Sequence, residues 1–235
     1  TDPDTGTTHR SVIKPIGEGF AATTLDSMTG EFIDFSLDPA TDDEIAATIK
    51  VMGGEDWERW IEALTEGGVL AHGAVTVAYS YIGPPATGPM YRNGTIGRAK
   101  EHLEATAKTL DSRLGVIGGK AVVSVNKALV TRASAVIPVV PLYISILFRV
   151  MKNKGIHEDC IHQVDRLFAD KLYGGGDIAT DEEGRIRLDD LEMRTDVQAE
   201  VKELWSGLTE ENFRELADFD GYWSAFLGFH GFGID

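Results

Sequence analysis

The chain has 235 residues, 43% of them apolar and 9% aromatic, enough to bury a sizeable core and outside the compositions of disordered chains. A formal net charge of −16 speaks against nonspecific nucleic-acid binding, and a single cysteine, Cys160, excludes an internal disulfide and fits a reducing, cytoplasmic setting. That cysteine matches no catalytic motif and is expected to be a small buried apolar residue.

The opening TDPDTGTTHR is polar and contains no signal-peptide hydrophobic region. It also lacks an initiating methionine, so Thr1 is not expected to be the native start. The first thirty residues, rich in Thr, Gly and Pro, read as an irregular lead-in. Glu31 to Leu37 (EFIDFSL) alternates as a short strand. Thr41 and Glu44 have capping-box spacing, which predicts a helix to about Val51. After Gly53-Gly54, Trp57, Trp60, Ile61 and Leu64 recur at i, i+3, i+4 and i+7, the apolar face of a second helix. Both tryptophans are expected in the core, and Gly67-Gly68 ends the helix.

Val75 to Ile82 is β-branched and aromatic and predicts a buried strand, stopped by Gly83-Pro84-Pro85. Ile96 to Leu110 reads as a helix and Ala121 to Val125 as a second buried strand. An irregular stretch to Ala133 precedes a helix from Pro141 to Lys152. The apolar run Val136 to Val150 holds two prolines and is too short for a membrane span, so a buried helix is expected and no membrane insertion. Further helices are expected over 157–173, 195–206, 210–218 and 220–229, with a loop and short hairpin over 177–194. Helices alternating with buried strands predict an α/β fold with a parallel sheet. Two central strands are too few for a complete doubly wound sheet.

Several motifs fail on inspection. Gly17 to Ala22 resembles a dinucleotide fingerprint but lacks the preceding strand. Gly115 to Lys120 lacks P-loop spacing. Ala179 to Asp190 imitates an EF-hand, with Ala at the first ligand position and Asp at the twelfth. A solvated acidic turn is the better reading, and an acidic, calcium-binding module remains the alternative. The histidines show no metal-ligand spacing, and no metal is expected. Residues 91–155 hold 11 Lys/Arg against 3 Asp/Glu, whereas residues 156–235 hold 7 against 20. The basic island fits a phosphate-bearing ligand or an acidic partner, or is simply a set of solvated helix faces.

The segment with chemical content is Val77 to Lys100. A strand delivers Tyr79 and Tyr81 to its C-terminal end, where ligands bind in open α/β sheets. A Gly/Pro-rich loop follows, then Tyr91, then Lys100 on a helix. A nearby ammonium is expected to lower the pKa of a phenol, ordinarily about 10. Nine residues apart, Tyr91 and Lys100 would lie about half a turn out of phase on one helix. They converge only if Tyr91 precedes the regular helix, with Pro89, Gly94 and Gly97 supplying the breaks. Spacing alone leaves open whether these are ordinary strand and loop aromatics.

The Tyr91–x8–Lys100 spacing, VMGGEDWERW (Val51 to Trp60), VAYSYIG (Val77 to Gly83), LVTRASAVIPVVPLYI (Leu129 to Ile144), DEEGRIRLDD (Asp181 to Asp190) and the terminal GFGID together resemble the FabV-type enoyl-acyl-carrier-protein reductases and the trans-2-enoyl-CoA reductases. The resemblance spans essentially the whole chain. It implies a Rossmann-like, short-chain-dehydrogenase-related fold: a partial parallel sheet with many helices, lacking the first strands. It also implies reduction of the trans-2 double bond of enoyl-ACP or enoyl-CoA thioesters in fatty acid synthesis, with NADH or alternatively NADPH. Carried over, Tyr91 is the proton donor, Tyr81 contacts the thioester carbonyl and Lys100 binds the cofactor. Leu129, Val130 and Thr131 match backbone contacts on the nicotinamide side, Leu129 standing where the family more often has Val. The resemblance implies that residues 1–235 form the catalytic and substrate-binding part of one reductase domain. Roughly the first third is then expected to precede Thr1, a short segment to follow Asp235, and the fragment alone to be inactive. The expected partners are the thioester substrate on acyl carrier protein or CoA, with a monomer expected and a dimer as the alternative. A non-catalytic fragment is the competing class.

Overall fold

A computed structural model describes residues 1–26 and 29–233. The last two residues of the terminal GFGID segment therefore lie outside it. Within the described residues the polar lead-in contains a strand that the sequence reading missed. β1 (Phe20–Leu25) pairs antiparallel with β2 (Phe32–Leu37), Phe20 opposite Leu37 and Leu25 opposite Phe32. Its small and Thr-rich sequence carries a weak strand signal, and β1 is held partly by Leu25, buried against the apolar helix described below.

The capping box forms in full. The Thr41 side chain accepts the Glu44 amide and the Glu44 side chain accepts the Thr41 amide, starting α1 (Asp42–Met52). α2 (Glu55–Glu66) buries Ile61. Trp57 is half-buried and donates its indole N–H to Thr76 Oγ1 at 2.9 Å. Trp60 departs from expectation, being 62% exposed. The helix lies at the periphery, so its apolar stripe is wider than the surface it covers.

β3 (Val75–Ser80), β4 (Lys120–Val125) and β5 (Arg185–Arg187) form a parallel sheet in the order β3-β4-β5. β5 replaces the expected hairpin. Only three residues long, it pairs with β4 rather than folding back on itself, so no local alternation announced it. β4 is central and apolar on both faces: Val122 meets Leu167, Leu172, Ile186 and Leu188, while Val123 and Val125 meet Leu103 and Ala107. Those last two residues lie on α3 (Thr95–Leu114), which connects β3 to β4. β3 is an edge strand among the described residues, and Tyr79 on it is 52% exposed rather than buried.

The largest core surrounds α4 (Val140–Asn153), the predicted apolar helix, with Tyr143, Ile144, Ile146, Leu147, Val150 and Met151 almost wholly buried. α4 packs against α6 (Thr195–Ser206) and α8 (Phe219–Phe229). Its N-cap, Val139, is the one non-glycine residue with positive φ (72°) among the described residues, a strained setting for a β-branched side chain. The Val139 amide is fixed by a 2.7 Å bond to Thr24 Oγ1 of β1. The helix expected over 157–173 begins later, as α5 (Cys160–Arg166) capped by Asp159, and continues as a π-helical stretch to Leu172. α7 (Phe213–Leu216) is the short remnant of the helix expected over 210–218. Among the described residues no helix is long and apolar enough to cross a membrane.

Candidate active site

β3 and β4 run parallel, so their C-terminal ends lie at one edge of the sheet, where ligands bind in open α/β folds. Tyr81 emerges just beyond β3. Gly83, with φ of 74°, turns the chain where a Cβ would meet the Tyr81 ring at 2.9 Å and Thr87 Oγ1 at 2.7 Å. A 3₁₀ turn over Pro85–Thr87 follows, and the Tyr91 amide donates to Thr87 O at 3.0 Å.

Tyr91 lies in an irregular turn four residues before α3, as its spacing from Lys100 requires. The turn folds back over the start of that helix: Gly97 N–H donates to Tyr91 O at 2.9 Å. A Cβ on Gly97 would lie 1.9 Å from Arg92 O, so the approach depends on glycine. The lead-in clamps the same place from the other side, Thr95 N–H donating to Lys14 O and Thr95 Oγ1 to Val12 O. Tyr81, Tyr91 and Lys100 thereby line one narrow crevice, together with Ile82, Arg92 and Glu104.

The electrostatics differ from the sequence expectation. Burial pushes the Tyr91 phenol up to about 12 rather than an ammonium pulling it down. Tyr91 is therefore a protonated donor at neutral pH. Lys100 is lowered by burial, with Glu104 opposing, and donates to Tyr79 O at 3.4 Å. One long bond leaves donor capacity on the ammonium for further acceptors.

Leu129, Val130 and Thr131 follow β4 at the same sheet edge. Ser134 braces them, its hydroxyl donating to Leu129 O at 2.8 Å and accepting the Thr131 amide at 2.9 Å. Val130 is buried and its carbonyl accepts from Cys160 Sγ at 3.7 Å. Cys160 is half-buried, and burial pushes its thiol up.

Sequence reasoning missed a buried polar group behind the crevice. Glu192, wholly buried, accepts at Oε1 from Tyr143 (2.6 Å) and from Tyr81 (3.1 Å), and at Oε2 from the Ala128 amide (2.6 Å). Gln198 Nε2 donates to the Tyr143 hydroxyl at 3.1 Å. Lys127, also buried, donates to Ala128 O at 2.8 Å, and burial holds it down at about 8. The only sequence signal was Tyr143 within an otherwise apolar helix and Lys127 just past a buried strand. Glu192 belongs to none of the motifs.

A cleft of about 1340 Å³ opens nearby between the β1–β2 hairpin and α6. Its walls include Phe20, Phe32, Leu142, Val201 and Trp205, with Gln198 among the polar residues. The acidic segment 179–190 is otherwise employed. Asp181 and Glu183 pair with Arg185, Asp189 with Arg187 and Asp190 with Arg166. These carboxylates are engaged by arginines of β5 and α5.

A family profile described as the trans-2-enoyl-CoA reductase catalytic region matches residues 1–173, and one described as the enoyl reductase FAD binding domain matches residues 180–235. The chain is 57% identical to an enoyl-acyl-carrier-protein reductase (NADH) of Cytophaga hutchinsonii over 235 residues, covering all of this chain and 59% of that protein. It is 56% identical to a trans-2-enoyl-CoA reductase (NADH) of Treponema denticola over 236 residues, again covering all of this chain and 59% of the relative. The crystal structure of Clostridium acetobutulicum trans-2-enoyl-CoA reductase in complex with NADH superposes with a TM-score of 0.97 at 50% identity, covering 100% of this chain and 59% of that one. The chain thus spans about three fifths of the length of the relatives it matches.

Proposed function

Because this chain belongs to the trans-2-enoyl-CoA reductase family, we propose that the whole protein reduces the trans-2 double bond of enoyl thioesters, on acyl carrier protein or CoA, with NADH. The observation that carries this is the crevice shared by Tyr81, Tyr91 and Lys100 at the C-terminal edge of the parallel sheet. The names of the relatives, all pairing an enoyl thioester with NADH, support the same reading.

The residues fit a nicotinamide cofactor. Lys100 is a half-buried ammonium with donor capacity directed into the crevice, suited to ribose hydroxyls. The braced backbone of Leu129, Val130 and Thr131 lies at the same sheet edge, suited to the nicotinamide side. When bound, NADH supplies the hydride for the substrate's β-carbon. Tyr91 holds a proton on its phenol, raised by burial, and delivers it to the α-carbon. Tyr81 meets the thioester oxygen, where a hydroxyl donor stabilises enolate charge.

Profiles for 1–173 and 180–235 meet in a common core, since α4 packs against α6 and α8. We read residues 1–235 as one catalytic and substrate-binding part of a reductase domain. The apolar cleft beside the crevice suits an acyl chain, and the cytoplasm is the proposed location.

The test uses the full-length protein with NADH or NADPH and a series of trans-2-enoyl-CoA substrates. Oxidation of NADH that depends on the enoyl thioester and yields the saturated acyl product is the expected result. Absence of such oxidation with either cofactor overturns the reading.

A further inference from the structure

The Glu192 carboxylate is wholly buried beside the proposed active site, and its three donors come from different parts of the chain: Tyr81 after β3, the Ala128 amide after β4 and Tyr143 on α4. Burial raises the pKa of Glu192, while the Tyr143 hydroxyl and the buried charge of Lys127 oppose that shift and favour the ionised form. A buried carboxylate is costly unless its lone pairs are filled. Here they are filled by groups leading directly to the crevice, since Tyr81 lines it and its ring abuts Tyr91.

The two phenols on Oε1 are unequal. Tyr143 is held at 2.6 Å, with Gln198 donating to its oxygen so that its proton turns to Glu192. Tyr81 is the looser at 3.1 Å. An arriving carbonyl oxygen can draw the Tyr81 proton away while the carboxylate keeps Tyr143 and the Ala128 amide. The anchor therefore fixes where the Tyr81 hydroxyl waits without committing its proton permanently.

We propose that Glu192 is a positioning residue for the reduction, acting through Tyr81: its shared carboxylate oxygen fixes the Tyr81 hydroxyl for the thioester carbonyl. This rests on the enoyl reductase reading of the site. The side chain itself lies behind Tyr81 and does not face the crevice. Replacing it with glutamine preserves size but not acceptors. With the amide oxygen on the Ala128 N–H, the NH2 group donates where the carboxylate accepted, so the Tyr81 and Tyr143 hydroxyls lose their shared acceptor and must reorient.

The test is a double-mutant cycle in the full-length enzyme, reading kcat and KM for an enoyl-CoA together with thermal midpoints. E192Q is expected to lower kcat/KM about tenfold, because small misplacements of a group that meets the reacting oxygen are costly. In the Tyr81→Phe background the same change is expected to cost less than about twofold, because the group it acts through is gone. If E192Q does not fold, E192D keeps the charge but withdraws it by one methylene, and the same non-additivity is expected. A wild-type rate from E192Q, or losses that multiply independently of Tyr81 as a purely structural role would give, overturns the assignment. Inactivity of the wild-type full-length protein would instead sink the functional reading itself.

Discussion

The rings of Tyr81 and Tyr91 meet edge to face, 4.9 Å between centroids and 81° between planes. Ten residues apart in sequence, they are brought together by the Gly83 turn and the fold-back onto Gly97. The packing buries Tyr91 and raises its phenol to about 12, against about 10 for a free tyrosine. In a spectrophotometric titration of the ligand-free protein, the phenolate step lost in Tyr91→Phe is expected near pH 12. A missing step at or below about pH 10 would show that burial does not control this group.

Lys100 is lowered by burial and makes one long bond, to Tyr79 O. Lys100→Ala is expected to raise KM for NADH and to lower kcat as well, because the proposed role has one ammonium serve both cofactor and crevice. Steady-state kinetics with each substrate varied in turn checks this. A change in kcat with unaltered cofactor affinity would remove Lys100 from the cofactor site.

Gly97 permits the fold-back that places Tyr91. A Cβ there would stand 1.9 Å from Arg92 O and 3.0 Å from Tyr91 O, so Gly97→Ala must push the turn off the helix. Because alanine suits a helix better than glycine, α3 itself is expected to persist. The rate is expected to fall about tenfold or more, since small misplacements of reacting groups are costly. Circular dichroism beside kcat separates the two effects. Unchanged kcat would mean that the turn is not under this constraint.

His157 packs on Phe148, ring centroids 4.3 Å apart, and is held down to about 4 by burial, with Lys127 and Lys152 adding to the shift. The unfolded chain takes up a proton near the ordinary value of about 6.5, whereas the folded protein resists until about 4. The stability linked to neutral His157 is thus present above pH 6.5 and lost as pH falls from 6.5 towards 4. In His157→Gln the decline of the urea midpoint across that window should be shallower than in the parent. An identical slope would assign the decline to other groups.

How much of this was readable beforehand follows from the range of the interactions. The capping box at Thr41 and Glu44 and the apolar α4 are local patterns, and both appear as expected. Tyr91 preceding the helix followed from angular arithmetic alone. β1 and β5 were not legible: one is small and Thr-rich, the other is three residues long and defined by pairing with β4. The direction of the Tyr91 shift was misjudged because spacing shows which charges are near but not how much water is excluded. Glu192 escaped because its partners at 81, 128 and 143 are distant in sequence and no local pattern marks it.

The central claim is that Tyr91 supplies the proton for enoyl thioester reduction, and turnover of Tyr91→Phe in the full-length protein at saturating NADH tests it most directly. The account predicts that kcat falls by about 10²- to 10⁴-fold, the usual worth of a positioned general acid, while NADH affinity stays near that of the parent. Turnover within a few-fold of the parent would contradict it.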